Sequence, residues 1–162
     1  MTTTVDVRPE PFDGAAARRL LAALDRELDD RYAGADDIPP PVLRAAEFAP
    51  PRGAFVVAWE DTAPGPEAVG CGGLRPGPAP GTAEVKRMYV VPRARGRRIA
   101  ERVLHELGRL AVDLGYTRLV LETGTEQPEA MRLYERLGWR PVAPFGHYAA
   151  SPLTRCFGRD LP

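Results

Sequence analysis

Cysteine is scarce in this 162-residue chain, which holds only Cys71 and Cys156. The two form no CxxC pair and have no histidine beside them. That argues against a disulfide scaffold or a thiolate metal site and leaves two reduced, buried thiols as the expectation, with no metal. An excess of one charge is missing as well. Lys and Arg total 22 and Asp and Glu total 22, so the chain as a whole has no electrostatic reason to bind nucleic acid or a membrane. No apolar stretch approaches the ~18 residues of a membrane span, and the segment from Met1 to Pro11 lacks the apolar core of a secretion signal. A cytoplasmic protein is expected. No internal repeat and no long interior linker divides the chain, so residues 1–162 are expected to form one domain, with Met1 to Thr4 disordered.

What is present is an ordinary globular mixture, 44% hydrophobic and 27% charged, with enough length to bury one substantial core. Ala17, Leu20, Leu21, Leu24 and Leu28 follow helical spacing, with Asp13 as the expected cap and the end near Tyr32 to Gly34. A proline-rich stretch follows, with a short helix expected around Val42 to Phe48. Strands are expected over Ala54 to Trp59, Ala68 to Leu74 and Glu84 to Val91. Gly70, Gly72 and Gly73 in the second of these point to bulges or close backbone approach. From Ile99 the period becomes helical, and Gly115 ends that helix. A strand over Leu119 to Glu122, a helix from Pro128 to Gly138 and a last strand over Thr154 to Gly158 complete the order. Meandering strands followed by strand–helix–strand imply an α/β arrangement, an α+β-like mixed sheet with helices on both faces.

The segment Lys86 to Arg102 holds seven basic residues against one acid, Glu101, most of them in the loop that opens the Ile99 helix. A helix N-terminus offers unpaired N–H groups and partial positive charge, which suits a phosphate or pyrophosphate. Gly96 lets the backbone approach closely. Charge alone is equally met by a solvated basic face.

The run from Glu84 to Ala100, EVKRMYVVPRARGRRIA, resembles the acetyl-CoA-binding core of the GNAT acetyltransferase superfamily. In that core a strand ending in apolar-Tyr-Val-x-Pro leads into (Arg/Gln)-x-x-Gly-x-(Gly/Ala) at a helix start. Arg95 and Ala100 match its ends. Arg98 stands where the middle glycine is usual, a departure expected to matter little if Arg98 lies in the first helical turn. The run from Gln127 to Trp139, QPEAMRLYERLGW, is similar to the family's Asn-x-x-Ala-x-x-Leu-Tyr-Glu-(Lys/Arg)-x-Gly-Phe, with Gln127 in place of Asn.

The resemblance implies the GNAT acyl-CoA N-acyltransferase fold, with a central mixed, twisted sheet, and transfer of an acetyl group from acetyl-CoA to an amine by direct attack in a ternary complex. It implies that the backbone of Met88, Tyr89 and Val90 pairs with the pantetheine arm. Arg95, Gly96, Arg97, Arg98, Ile99 and Ala100 would cradle the pyrophosphate, with Gln127 a further contact. It implies that Tyr134 protonates the departing CoA thiolate, and that a backbone N–H near Val90 holds the oxyanion. Glu84 matches the position of a general-base glutamate, and Glu122 is its rival. His147 and Tyr148 are candidates for the acceptor pocket. A small-molecule amine is the expected acceptor, with a homodimer left open. A protein or peptide N-acetyltransferase and a non-catalytic CoA-sensing module remain alternatives.

Overall fold

The computed structural model describes residues 3–35 and 38–162. Of the segment expected to be disordered, Met1 and Thr2 lie outside the described residues, while the Thr4 carbonyl accepts a hydrogen bond from the Asp61 amide at 3.1 Å. Seven strands form one mixed sheet: β1 (Val5–Pro9), β2 (Ala54–Glu60), β3 (Glu67–Pro76), β4 (Thr82–Val90), β5 (Arg118–Gly124), β6 (Arg140–Pro141) and β7 (Thr154–Asp160), in the order β1-β2-β3-β4-β5-β7-β6. Neighbours are antiparallel except β4 and β5, which run parallel. Three α-helices cover it: α1 (Ala15–Arg31), α2 (Ile99–Asp113) and α3 (Pro128–Arg136). None is long and apolar enough to cross a membrane.

The helices divide by face. The apolar stripe of α2, with Ile99, Val103, Leu104, Leu107 and Ala111 buried, packs with Tyr134, Trp139 and Phe157 over one side of the sheet. On the other side, Ala17, Leu20, Leu21 and Leu24 of α1 meet Phe48, Phe55, Val57 and Cys71. Phe48 ends the short 3-10 helix Ala45–Phe48, within the range expected for a helix there, and stacks on Phe12 at 4.5 Å between ring centroids.

Three details depart from the sequence reading. Asp13 does not cap α1. The Gly14 amide closes a turn onto the Pro11 carbonyl at 3.0 Å, so the chain enters the helix one residue later, with extended Gly14 as its N-cap. Strand β1 was not expected, because Val5 and Val7 are its only alternating apolar residues and it ends in proline; as an edge strand on β2 it needs little more. Strand β6 is two residues long and ends in Pro141, too short to carry a period.

The glycines of β3 do mark a close approach and a bulge. Between the pairs Cys71–Tyr89 and Gly73–Lys86, β3 has one residue, Gly72, and β4 has two, Arg87 and Met88. Arg87 takes the left-handed conformation there, with φ +63°. A Cβ on Gly72 would lie 2.6 Å from Met88 Sδ, 2.8 Å from Val103 and 3.0 Å from Leu107, so the bare glycine lets α2 seat on the bulge. Gly72→Ala should therefore lower unfolding free energy by about 1–3 kcal/mol through overpacking, read from urea midpoints at unchanged m-value; an unchanged midpoint would mean that α2 has slack at this point.

Candidate active site

The bulge sets a fork in the sheet. β4 pairs with β5 only from Thr82–Arg118 to Val85–Leu121. Beyond that, β4 stays with β3 as far as Val90–Gly70, while β5 stays with β7 as far as Gly124–Thr154. The Val91 amide donates to the Val69 carbonyl at 2.9 Å. By the alternation of an antiparallel ladder, the N–H and C=O of Val90 then point into the fork. Arg95 Nε donates to that carbonyl at 2.9 Å, and its guanidinium lies 5.7 Å from the Tyr89 ring centroid. Met88 lines the α2 side, whereas Tyr89 is buried on the α1 side.

The loop from β4 to α2 closes the wide end of the fork. It makes a 3-10 turn at Pro92–Ala94, bends at Gly96 with φ +76°, and reaches Arg98 at φ +60°, ψ +24°. Arg98 is thus the left-handed N-cap of α2 and not a first-turn residue, which corrects the sequence reading. The backbone at this point is one that glycine adopts freely and arginine does not. Ile99 is buried and pins the turn, and no side chain caps the first amides of α2. Those amides, near Ala100, are free for an anion.

The loop cations are largely committed to protein acids. Arg93 and Arg97 clamp the buried Glu60 carboxylate at 2.8 and 2.6 Å, Arg93 also reaches Glu67 at 2.8 Å, and Arg95 pairs with Glu27 of α1 at 2.7 Å. Hydrogen bonds from Arg93 and then Arg97 hold the Glu60 pKa below its ordinary value of 4.5. Among the described residues Arg98 is the loop arginine without an ion pair.

Both candidate glutamates lie on the α1 face of the fork, joined by a residue the sequence reading passed over. Lys86 Nζ is 3.5 Å from Glu84 Oε2 and 3.1 Å from Glu122 Oε1, and all three side chains are at least 90% buried. Glu84 Oε1 accepts from Arg75 Nε at 2.9 Å, so both its oxygens are held. Glu122 Oε2 is buried with no partner among the described residues. Gly146 lies over it, and a Cβ there would be 3.5 Å away. Tyr148, beside Gly146, has its pKa raised by burial and then by the Glu122 charge, with Arg87 acting the other way. His147 is exposed, shares a hydrogen bond with the Pro39 carbonyl, and packs edge-on against Tyr148 at 4.9 Å. The only hint of Lys86 in the sequence is the Glu84-x-Lys86 spacing, which puts both on one strand face.

Tyr134 projects from α3 into the core, 5.8 Å from Trp139 and 6.0 Å from Phe157 between ring centroids. Its hydroxyl makes no hydrogen bond among the described residues, and burial pushes its pKa well above the usual 10.0, so the phenol keeps its proton. Gln127, the N-cap of α3, does not offer its amide oxygen to a ligand: that atom accepts from the Tyr32 hydroxyl at 3.2 Å and from Thr123 at 3.4 Å. Cys71 and Cys156 are both buried, and burial pushes the Cys71 thiol up to about 12. No group of three or more His, Cys, Asp or Glu among the described residues could hold a metal. A recess of about 660 Å³, lined by residues 31–35, Glu126, Pro152 and Leu153, contains neither Glu122 nor Tyr134.

Two outcomes follow for the loop. Arg98→Gly and Arg98→Ala both delete the guanidinium, but only glycine relieves the left-handed N-cap, so the glycine variant should be the more stable by about 1 kcal/mol in thermal melts; equal melting would mean the turn carries no strain. The Glu60 clamp contributes fully above pH 4.5 and loses that contribution as pH falls through the lowered folded value. Glu60→Gln should therefore flatten the acid limb of the stability curve, and a variant that keeps the wild-type limb would assign it to other carboxylates.

Comparison with known proteins points the same way. The model of the acetyltransferase (GNAT) family matches residues 19–139. An Azospirillum brasilense protein named IAA acetyltransferase is 34% identical over 99% of this chain and 100% of its own length. A Klebsiella pneumoniae crystal structure assigned as an acyl-CoA N-acyltransferase superposes with a TM-score of 0.80 at 27% identity, covering 98% of this chain and 99% of that one. An Elizabethkingia anophelis GNAT acetyltransferase solved with acetyl-CoA bound gives a TM-score of 0.65 at 19% identity, covering 97% and 98%. With its forked sheet, its loop of backbone amides and these relatives together, the chain belongs to the GNAT family of acetyl-CoA-dependent N-acetyltransferases.

Proposed function

We propose that this protein acetylates the primary amine of a small molecule, the amine attacking directly while both substrates are bound. The observation that carries this reading is the unpaired, buried Glu122 Oε2 at the mouth of a fork whose other arm offers a free backbone edge. Acetyl-CoA supplies the activated thioester. The edge of β4 at Met88 and Val90 holds its extended arm by strand-like hydrogen bonds, and the amides from Gly96 to Ala100, with Arg98, meet its pyrophosphate. Arg95 leaves the Val90 carbonyl when that edge is used.

Glu122 takes the proton from the acceptor ammonium, leaving the lone pair free to attack. Glu84, with Arg75 and Lys86 on its two oxygens, orients Lys86 instead. The Val90 N–H steadies negative charge on the carbonyl oxygen. The Tyr134 hydroxyl donates its proton to the leaving sulfur, a role suited to a phenol that burial keeps protonated. The loop over Glu122, with Gly146 on the carboxylate and His147 tied to Pro39, favours a compact amine over an extended peptide, which would need an open groove.

Glu122→Gln should lower kcat at neutral pH, with partial recovery as the pH approaches the amine's own pKa, whereas Glu84→Gln should lack that pH-dependent recovery. Tyr134→Phe should cut turnover by roughly 10²–10⁴-fold with acetyl-CoA affinity by calorimetry nearly intact. A pH–rate profile in Glu122→Gln matching wild type would remove Glu122 from the base role, and wild-type turnover in Tyr134→Phe would leave only a packing role for the ring.

A further inference from the structure

The acceptor side of the fork holds two buried polar atoms that nothing among the described residues satisfies, and they are of opposite kinds. Glu122 Oε2 is an acceptor and Arg87 Nε is a donor. Buried groups of this sort are nearly always paired in folded proteins, so two unpaired ones on the same side of one cleft call for a ligand. Arg87 occupies the bulge of β4, where its left-handed backbone turns the side chain toward α1 and lets its terminal nitrogen pair with the exposed Asp25 at 2.6 Å. Its Nε is buried on that side. Glu122 stands at the start of the other arm, with Lys86 on one oxygen only. After burial, both charges act on the Tyr148 hydroxyl, Glu122 raising its pKa and Arg87 lowering it.

We infer that the acceptor carries a carboxylate as well as its amine, in the simplest case an α-amino acid, with the ammonium on Glu122 and the carboxylate on Arg87. This deepens the proposed function and rests on it. The charge balance of the cleft favours such a zwitterion over a polyamine. Glu84, Glu122, Asp25 and Glu47 are set against Arg75, Lys86 and Arg87, an excess of one negative charge. A dication would bring two positive charges to a face that has one open carboxylate oxygen. A zwitterion fills both vacant hydrogen-bonding positions and leaves the balance unchanged. Guanidinium is also the side chain best shaped to hold a carboxylate.

The test compares the protein amino acids with their carboxamides, and with simple monoamines, as acceptors of acetyl from acetyl-CoA, with products measured by mass spectrometry. Each carboxamide keeps the side chain and the α-amine and removes only the negative charge. Its amine titrates near ~8, so intrinsic reactivity favours the carboxamide, and a preference for the acid must come from the site. For at least one amino acid, kcat/KM should exceed that of its carboxamide by about tenfold or more, the weight of one charge-assisted hydrogen bond. Arg87→Gln should erase the preference, raising KM for the acid about tenfold or more relative to the carboxamide. Arg87→Gly, which suits the positive φ, repeats the measurement if the glutamine variant fails to fold. Equal use of acid and carboxamide, or equal loss on both in the Arg87 variants, overturns the inference. Acetylation of plain monoamines in preference to amino acids overturns it while leaving the proposed function standing. If no amine of the set is acetylated although acetyl-CoA binds, both fall together.

Discussion

A backbone N–H or C=O needs a hydrogen-bond partner, and leaving one buried without it costs about 1–3 kcal/mol; past Val85, β5 no longer supplies partners to β4. The separation is enforced from the other side of the strand. One extra residue at Arg87, opposite a glycine with no side chain, bends β4 away while its pairing with β3 continues. The edge of β4 is then left open beyond Val85. Arg95 meets part of it by reaching back to the Val90 carbonyl. An extended ligand arm offers the same hydrogen bonds in longer supply, which is how strand addition gains affinity from main-chain contacts.

The same bend organises the charges. Lys86 precedes the bulge and keeps strand geometry, so it falls beside Glu84 on one face and across from Glu122 on the next strand. Arg87 is in the bulge and turns to α1. One residue of difference separates a lysine that steadies two glutamates from an arginine with a free inward edge. The arginines of the following loop serve geometry first. Glu60 binds two of them and so ties the loop to β2, and among the described residues Arg98 is left without an ion pair. A basic run in a sequence thus overstates the free positive charge that the folded loop presents.

Much of this architecture was legible in the residues. Long apolar periods marked α1 and α2, Pro128 and Gly138 bracketed α3, and the two motifs pointed to the family. What stayed hidden depended on contacts distant in sequence. Nothing local in Val5 to Pro9 distinguishes an edge strand from a loop until β2 is there to pair with it. The handedness at Arg98 escaped notice because a motif position states which residue is present and not the φ it must adopt. The choice between Glu84 and Glu122 turns on which carboxylate oxygens are already held, and that follows from the β4–β5 register and from Arg75 on β3. Lys86, which links them, has no motif of its own.

The two buried cysteines acquire a meaning from the reaction. Each turnover of an acetyl-CoA-dependent transferase releases coenzyme A with its thiol free, inside a cleft whose inner strand carries Cys71 one strand away. A reactive cysteine there would be open to mixed-disulfide formation once released coenzyme A had been oxidised to its disulfide, the cysteine thiolate attacking one sulfur and expelling the other coenzyme A as thiolate. Cys71 is fully buried, and its pKa of about 12 leaves almost no thiolate at neutral pH. Cys156, on β7 behind Glu122, is buried with its pKa raised as well. Burial thus gives the folded protein redox insulation from its own product.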